Sequence, residues 1–257
     1  MIMQKREVRW LLSKKYNGKL TSFAWRDIHK LKGGIPVDYL ISYVNFLGCK
    51  ISLSEKPLIP RCETEYWVDR AIKGYKGVRP LKGLTPILPV LDIFSGSGCI
   101  GIAILKHLPC SKVVFSDSEN NCIEQIEINC KLNRINPARY KIVKSDVFEN
   151  IPKKEKFDGI FANPPYISTH STDIQDSVLL NEPSSALFGG EDGLKYIDKF
   201  LKMARGFLKK DGRIFMEFDH PQKEQVKSLL EKYGYKNYKF KKDQFSRWRY
   251  LEYGKNI

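Results

Sequence analysis

The sequence is poor in the features that mark metal sites, disulfide frameworks and membrane proteins. Among 257 residues it has four histidines, at no spacing typical of ligands, and six cysteines, of which no two form a CxxC pair. We therefore expect no bound metal, and free thiols in a reducing compartment. The longest apolar run, Leu84 to Phe94, is interrupted by two prolines and Asp92. It falls short of the ~18–20 residues of a membrane span, so no association with a membrane is expected.

Acidic residues are scarce relative to basic ones. The chain has 29 Asp and Glu against 44 Lys and Arg, a formal net charge of +15 at pH 7. Such a field attracts polyanions, which makes nucleic acid or the ribosome a candidate neighbour. A basic compartment or proteome explains the same charge equally well. The excess is spread along the chain, which argues against a disordered basic tail.

Hydrophobic periodicity divides the chain into three parts. Residues 1–45 carry apolar side chains at helical spacing and predict a small helical domain for substrate recognition. Residues 46–85 are predicted to contain the end of a hairpin (Tyr43–Leu53) and a linker. A connector rich in glycine and proline, Gly74 to Pro89, leads from this linker into the next part. Residues 86–257 alternate strands and helices, which predicts a mostly parallel α/β sheet with helices on both faces.

The elements of the α/β part follow from short apolar runs and from helical spacing. The predicted strands are Ile87–Phe94, Lys112–Ser116, Tyr140–Lys144, Phe157–Ala162 and Arg213–Phe218, followed by a closing pair, Tyr235–Phe240 and Arg249–Tyr253. The predicted helices are Thr64–Lys73, Cys99–Leu108, Asn121–Leu132, Leu194–Leu208 and Gln222–Tyr233. Ligands of such sheets bind outside the carboxyl ends of the strands, so candidate residues are sought there.

A glycine turn follows the first predicted strand. It reads Phe94-Ser95-Gly96-Ser97-Gly98 and leads into a helix, whose free amides point toward the turn. About twenty residues later the second strand ends in Asp117, and an acid there can accept both hydroxyls of a ribose. The turn by itself is equally typical of a plain connection, and Asp117 is also a reasonable cap for the following helix. Asp146 ends the third strand in the same way, and a loop residue is an equally good interpretation.

The fourth strand ends in Asn163-Pro164-Pro165-Tyr166. Two prolines fix the backbone and remove amide donors, so the Asn163 side-chain oxygen and the Pro164 carbonyl can both accept from one planar NH₂ group. The Tyr166 ring can lie against the face of that group. Because an amide or aromatic NH₂ is a weak nucleophile, aligning its two N–H bonds is a positioning contribution to catalysis.

These features together resemble the class I S-adenosylmethionine-dependent methyltransferases, and Asn-Pro-Pro-Tyr is typical of members that methylate amino or amide nitrogens. Three further stretches, Gly34–Leu40, Leu58–Glu65 and Leu180–Leu194, resemble the GxPxxYL, LIPRPxTE and EPxxALxGGxDGL motifs of the HemK/PrmC family. The resemblance extends from about Glu7 to the C-terminus. It implies a class I fold with a seven-stranded, mostly parallel sheet and a small helical N-terminal domain. It also implies N5-methylation of the glutamine in the Gly-Gly-Gln loop of a peptide chain release factor.

Site residues are carried over from this resemblance position by position. It implies that the turn Phe94–Gly98, Asp117 and an adenine-packing Val147 bind S-adenosylmethionine, with a contribution from Asn163. It implies that Asn163 to Tyr166 bind the glutamine amide and act in catalysis.

The chain departs from the bacterial pattern at several positions. Phe94-Ser95 replaces Gly-Thr, Cys62 replaces a proline, Glu217-Phe218-Asp219 replaces a Glu-His/Ile-Gly type ending, and the N-terminal helical part is shorter. With the basic charge, these departures resemble the fungal mitochondrial branch of the family. The prediction is therefore a mitochondrial location, with the cytoplasm as the alternative.

Two other functions are compatible with the same motifs. An adenine N6-methyltransferase acting on DNA or RNA would present its amine to Asn163-Pro164-Pro165-Tyr166 in the same way, and the charge suits nucleic acid. Such enzymes usually add a recognition domain of a hundred or more residues, so specific nucleic-acid binding is not expected here. An RNA-binding scaffold without activity is disfavoured by the intact Asn-Pro-Pro-Tyr segment.

Overall fold

The computed structural model describes residues 2–76 and 87–255. The α-helices are α1 (Ile2–Tyr16), α2 (Ser22–Lys32), α3 (Val37–Ile41), α4 (Cys62–Lys76), α5 (Cys99–His107), α6 (Asn120–Leu132), α7 (Asp176–Asn181), α8 (Ser184–Leu187), α9 (Lys195–Ala204) and α10 (Lys223–Lys232). The strands are β1 (Tyr43–Phe46), β2 (Cys49–Ser52), β3 (Leu88–Ile93), β4 (Ser111–Asp117), β5 (Tyr140–Lys144), β6 (Phe157–Ala162), β7 (Leu208–Glu217), β8 (Tyr238–Lys242) and β9 (Trp248–Gly254). In the described ranges, no helix is both long enough and apolar enough to cross a membrane.

The large sheet has seven strands in the order β5-β4-β3-β6-β7-β9-β8. Strands β3 to β7 pair in parallel, and β9 pairs antiparallel with both β7 and β8. The predicted α/β architecture is therefore confirmed. Because the strand order reverses between β3 and β6, the ligand crevice is expected outside the carboxyl ends of these two strands.

Side chains alternate between the two faces of the sheet, and each face is covered. Val90 and Phe115 pack under α4, α5, α6 and the β1–β2 hairpin, whereas Leu91 and Ile93 pack under α9 and α10. This alternation follows from the period of two in a strand. Helices α1, α2 and α3 enclose a separate small core around Leu11.

The predicted boundaries differ most from the structure at the end of one helix and the start of the strand that follows it. The helix predicted over Leu194–Leu208 ends at Ala204 and continues as a 3₁₀ turn to Phe207, because Leu208 leaves the helix to pair with Phe157 of β6. The chain then bulges before Arg213 resumes pairing opposite Gly159, so β7 begins five residues before the predicted strand start at Arg213.

The predicted connector from Gly74 to Pro89 lies largely outside the described residues, at positions 77–86. Of its described residues, Gly74 belongs to α4 and Pro89 to β3. Helix α4 extends beyond its predicted end at Lys73 because Tyr75 makes tertiary contacts. The Tyr75 hydroxyl donates to the Asp158 carbonyl at 3.0 Å, and its ring packs against Phe161.

Candidate active site

A cleft of about 1100 Å³, including its open mouth, lies at the carboxyl ends of β3, β4, β5 and β6. It brings together most of the residues singled out from the sequence, namely Phe94, Ser95, Gly96, Ser97, Asp117, Val147, Asn163 and Pro165. Gly98 does not line this cleft and is the N-cap of α5. Pro164 and Tyr166 line a second cleft of about 880 Å³, and Asn163 lines both.

The glycine turn is fastened to the neighbouring strand by Ser95. Its hydroxyl donates to the Asp92 carbonyl at 2.7 Å and accepts from the Ser116 amide at 2.9 Å. Gly96 and Gly98 have positive φ angles of 53° and 77°, which glycine adopts without steric cost. Phe94 also has a positive φ, of 60°. The left-handed conformation costs a residue with a side chain about 1–2 kcal/mol.

The Phe94 ring forms part of the cleft wall. Its centroid lies 6.1 Å from that of Tyr196 in an edge-to-face arrangement and 6.4 Å from that of Phe200. These contacts offset part of the backbone cost. The bulkier turn that the sequence indicates is thus accommodated by aromatic side chains of α9.

Asp117 accepts two backbone hydrogen bonds at the end of β4. One carboxylate oxygen receives the Gly96 amide at 2.8 Å and the other receives the Glu119 amide at 3.0 Å. Helix α6 begins at Asn120 with Glu119 as its N-cap, so Asp117 is not the cap of this helix. Burial raises the pKa of Asp117, while the amides of Glu119 and Gly96 oppose the rise. Each oxygen retains a lone pair for a further donor.

Asp92 is a buried acid that the sequence analysis did not assign to the site. It is fully buried, and one of its oxygens accepts from the Gly101 amide at 2.9 Å. The other oxygen has no partner among the described residues. Burial raises its pKa well above the usual carboxyl range. The sequence does carry a signal for Asp92, because it is an acid within an otherwise apolar strand just before a glycine turn.

Val147 forms another part of the cleft wall, in the loop after β5. It is 2% exposed and has a positive φ of 53°, an unusual conformation for a β-branched residue. The Ser145 hydroxyl holds this loop by donating to the Val147 carbonyl at 3.0 Å and accepting from the Asn150 amide at 2.9 Å. Asp146 also lines the cleft, and Lys199 pairs with it at 2.7 Å.

The Asn163-Pro164-Pro165-Tyr166 turn follows β6 and separates the two clefts. Both prolines are buried, and Asn163 and Tyr166 are half-buried. Within residues 2–76 and 87–255, nothing is hydrogen-bonded to the Asn163 side chain or to the Pro164 carbonyl. The Tyr166 hydroxyl donates to a Glu217 oxygen at 3.1 Å. The turn therefore presents two acceptors whose hydrogen-bonding capacity is not used by the rest of the fold.

An ion pair joins two of the motif segments beside this turn. Arg61 donates to Glu182 at 2.6 Å, and the Ile59 amide donates to the other oxygen of Glu182 at 3.0 Å. Glu182 is 5% exposed, and a buried carboxylate needs such partners. The contact fixes the segment around Leu58 against the segment that leads into α8, which carries Ala186, and both Leu58 and Ala186 line the two clefts.

Known proteins resemble this chain in sequence and in fold. The family model "Methyltransferase small domain" matches residues 84–190. A release factor glutamine methyltransferase of Flavobacterium psychrophilum is 31% identical over 225 residues, covering 87% of this chain and 76% of that protein. One of Streptococcus pneumoniae is 34% identical over 216 residues, covering 83% and 73%. The crystal structure of a methyltransferase from Pyrococcus furiosus shares the fold, with a TM-score of 0.56 and 21% identity over 82% of this chain and 90% of that one.

Proposed function

The chain belongs to the family of release factor glutamine methyltransferases, and we propose that it methylates the side-chain amide nitrogen of the glutamine in the Gly-Gly-Gln loop of a peptide chain release factor. It is an enzyme with the class I methyltransferase fold. The observation that carries the acceptor assignment is the pair of available oxygens, on Asn163 and Pro164, at the junction of the two clefts.

The first cleft fits S-adenosylmethionine as cofactor. Asp117 has lone pairs left for the two ribose hydroxyls, and Val147 offers an apolar wall for the adenine. At Gly96 no atom lies within 4 Å of the place where a Cβ would stand, which leaves room for a ligand against the backbone. When bound, the cofactor would supply a methyl group bonded to a positively charged sulfur. Transfer of this methyl group breaks the carbon–sulfur bond and leaves a neutral thioether.

The second cleft is proposed to admit the acceptor loop. The Asn163 side-chain oxygen and the Pro164 carbonyl accept the two N–H bonds of the glutamine amide. The buried prolines hold these acceptors rigidly, and Tyr166 lies at the same cleft wall. Since an amide nitrogen is a poor nucleophile, this alignment turns its lone pair toward the first cleft.

No strong base is required by this arrangement. The leaving group is neutral, so no oxyanion develops, and the proton is lost to water after transfer. With both substrates saturating, kcat is expected to show no dependence on pH that belongs to a side-chain base near neutral pH, and a bell-shaped kcat profile set by such a base would contradict the mechanism.

A methyl-transfer assay tests the proposal. The purified chain is incubated with S-adenosylmethionine carrying a labelled methyl group and with either a release factor or the same factor with Gly-Gly-Ala in place of Gly-Gly-Gln. Label is expected on the first factor and not on the second. Equal labelling of both, or preferential labelling of adenine-containing DNA or RNA, would refute the glutamine assignment in favour of the adenine N6 alternative.

We further propose that the chain acts in mitochondria on the release factor of that compartment. The net charge of +15 and the departures at Cys62 and Phe94-Ser95 support this location. Fluorescence microscopy of the tagged protein with a mitochondrial marker tests it, and a purely cytoplasmic signal would overturn it. Proximity to the ribosome follows from the proposed substrate.

A further inference from the structure

The last residue of β7, Glu217, is a buried carboxylate one strand away from the Asn163 turn. It is 1% exposed and accepts three side-chain hydrogen bonds. Thr64 and Trp67 of α4 both donate to one oxygen at 2.7 Å, and the Tyr166 hydroxyl donates to the other at 3.1 Å. The carboxylate thus joins the Leu58–Glu65 motif segment and its helix to the turn that binds the acceptor.

The protonation states around Glu217 follow from its neighbours. Trp67 can only donate, and with all three partners donating, as the structure has them, the ionised carboxylate accepts from each without a proton on either oxygen. Burial raises the pKa of Glu217, and the bonds from Trp67 and Thr64 oppose the rise. Burial also raises the pKa of Tyr166 well above its usual range, so its hydroxyl stays protonated and donates.

Other charged and titratable groups face this carboxylate from the elements around it. Arg249 of β9 lowers the pKa of Glu217 through its charge and is itself bonded to Asp243 at 3.1 Å. The buried thiol of Cys99 lies on the α5 side, and the charge of Glu217 contributes to raising its pKa. Asp219 follows in the chain and raises the pKa of Tyr166.

We propose that Glu217 is a positioning residue for the acceptor: it fixes the hydroxyl end of Tyr166 so that the ring forms a rigid wall of the acceptor cleft. The other end of Tyr166 is held by its backbone, where the carbonyl accepts from Gln222 at 2.8 Å. With both ends held, the ring has one orientation relative to Asn163 and Pro164. This inference rests on the proposed function, because it assigns the role toward the acceptor amide.

The variant Glu217→Gln keeps the size of the side chain and removes the charge. With its oxygen toward Thr64 and Trp67, its NH₂ group faces Tyr166 and can only donate, so the tyrosine hydroxyl loses the charged acceptor that fixes it. We expect the KM for the release factor to rise about tenfold, as for loss of one charge-assisted hydrogen bond, with an affinity for S-adenosylmethionine within twofold of the unaltered chain. Tyr166→Phe should have a similar effect. The double variant should be no worse than either single one, because both remove the same contact.

The pH dependence separates this role from a merely structural one. As the pH falls through the raised pKa of Glu217, the carboxyl gains a proton and loses acceptor capacity, so the KM for the release factor should rise. Glu217→Gln should abolish this rise. Glu252→Gln, which removes another buried carboxylate in an ion pair with Arg213, is the matched control and should retain it.

A measurement without acceptor keeps this inference separate from the proposed function. The indole N–H of Trp67 donates to Glu217, so its proton resonance should shift in Glu217→Gln and titrate with pH in the unaltered chain. A missing shift, additive effects of the two substitutions, or an equal effect of Glu252→Gln would overturn the positioning role. If the resonance behaves as expected but no release factor is methylated, the proposed function fails and the Glu217 contact stands.

Discussion

Asn163 is the residue at which acceptor positioning and cofactor binding can be separated. Replacing it with alanine removes one of two acceptors while leaving the buried prolines in place. We expect methyl transfer to fall about 100-fold or more, judged by the loss of single positioning groups in other enzymes. Steady-state kinetics with the release factor, together with calorimetry for the cofactor, measures both quantities.

The control for this experiment is Asn237→Ala, which removes an exposed asparagine after α10. It should change neither quantity. A second variant, Asn163→Asp, keeps an acceptor and adds a charge, so the cofactor should bind at least as well while the amide is misaligned. Unchanged turnover in Asn163→Ala would show that this side chain does not hold the acceptor.

Asp117 is the residue at which cofactor affinity should depend on pH. Its ionised form accepts from the ribose hydroxyls, and its pKa is raised by burial. Affinity is therefore full above this raised pKa and falls as the pH decreases through it, at a higher pH than for an ordinary aspartate. Asp117→Ala should weaken S-adenosylmethionine about tenfold or more, since a charge-assisted hydrogen bond contributes about 1.5–3 kcal/mol.

Calorimetry between pH 4 and pH 8 tests this expectation. The alanine variant should show weak binding with little dependence on pH, and the unaltered chain should show the fall. Equal affinity in both proteins at pH 8 would mean that Asp117 serves only the backbone amides of Gly96 and Glu119.

At the scale of elements, the loop before α9 packs directly on the Asn163–Tyr166 turn, and the absence of a side chain at Gly193 makes this close approach possible. Gly193 has a φ of 75°, and a Cβ there would stand 2.1 Å from the Tyr166 carbonyl oxygen. Gly193→Ala should therefore displace the turn, lower the free energy of unfolding by roughly 2 kcal/mol or more and reduce methyl transfer. Gly206→Ala is the matched control, since no atom lies within 4 Å of its would-be Cβ.

Chemical unfolding and the methyl-transfer assay, applied to both glycine variants, check this prediction. The Gly206 variant should stay within about 0.5 kcal/mol of the unaltered chain, as surface substitutions usually do. If the Gly193 variant were equally stable and active, the loop would not need its close approach to Tyr166.

The strands that carry the site could be predicted from the sequence because their signals are local. Phe157–Ala162 and Tyr140–Lys144 are short apolar or alternating runs, and their predicted bounds match β6 and β5. The sequence patterns predict no helix between β6 and α9, yet this segment contains α7 and α8. These helices have six and four residues and are too short for a periodic pattern to reveal.

Contacts between distant segments could not be predicted from local patterns. Glu217 lies 153 positions after Thr64 and 150 positions after Trp67 in the sequence. No local pattern around any of the three residues signals the contact. The pairing of Arg61 with Glu182 is of the same kind, although both residues lie in recognised motifs. Sequence patterns indicate which residues carry chemistry, whereas the topology of the sheet determines which of them meet.

At the scale of the whole molecule, the two clefts lie where separately packed parts of the chain meet. The fully buried Asn129 of α6 donates both to the Ser97 carbonyl of the glycine turn and to the Ser52 carbonyl of the β1–β2 hairpin, at 2.9 and 3.1 Å. The helical N-terminal part contacts α7, where the Asn181 side chain donates to the Gly34 carbonyl at 3.1 Å. The acceptor cleft is thus bounded by elements that depend on both parts.

Because the proposed cofactor would contact the ends of four strands, its binding should stabilise the whole fold against heat. A ligand at 100 times its dissociation constant contributes about 2.7 kcal/mol, which corresponds to a rise in Tm of roughly 5–10 °C for a domain of this size. At the same concentration, Asp117→Ala with tenfold weaker binding should gain about 1.4 kcal/mol and about half the rise. Differential scanning fluorimetry with S-adenosylmethionine, and with adenosine alone as the comparison, measures these shifts. An unshifted Tm, or an equal shift in the Asp117 variant, would show that the cleft formed by Asp117, Val147 and the glycine turn does not hold this cofactor in the way we infer.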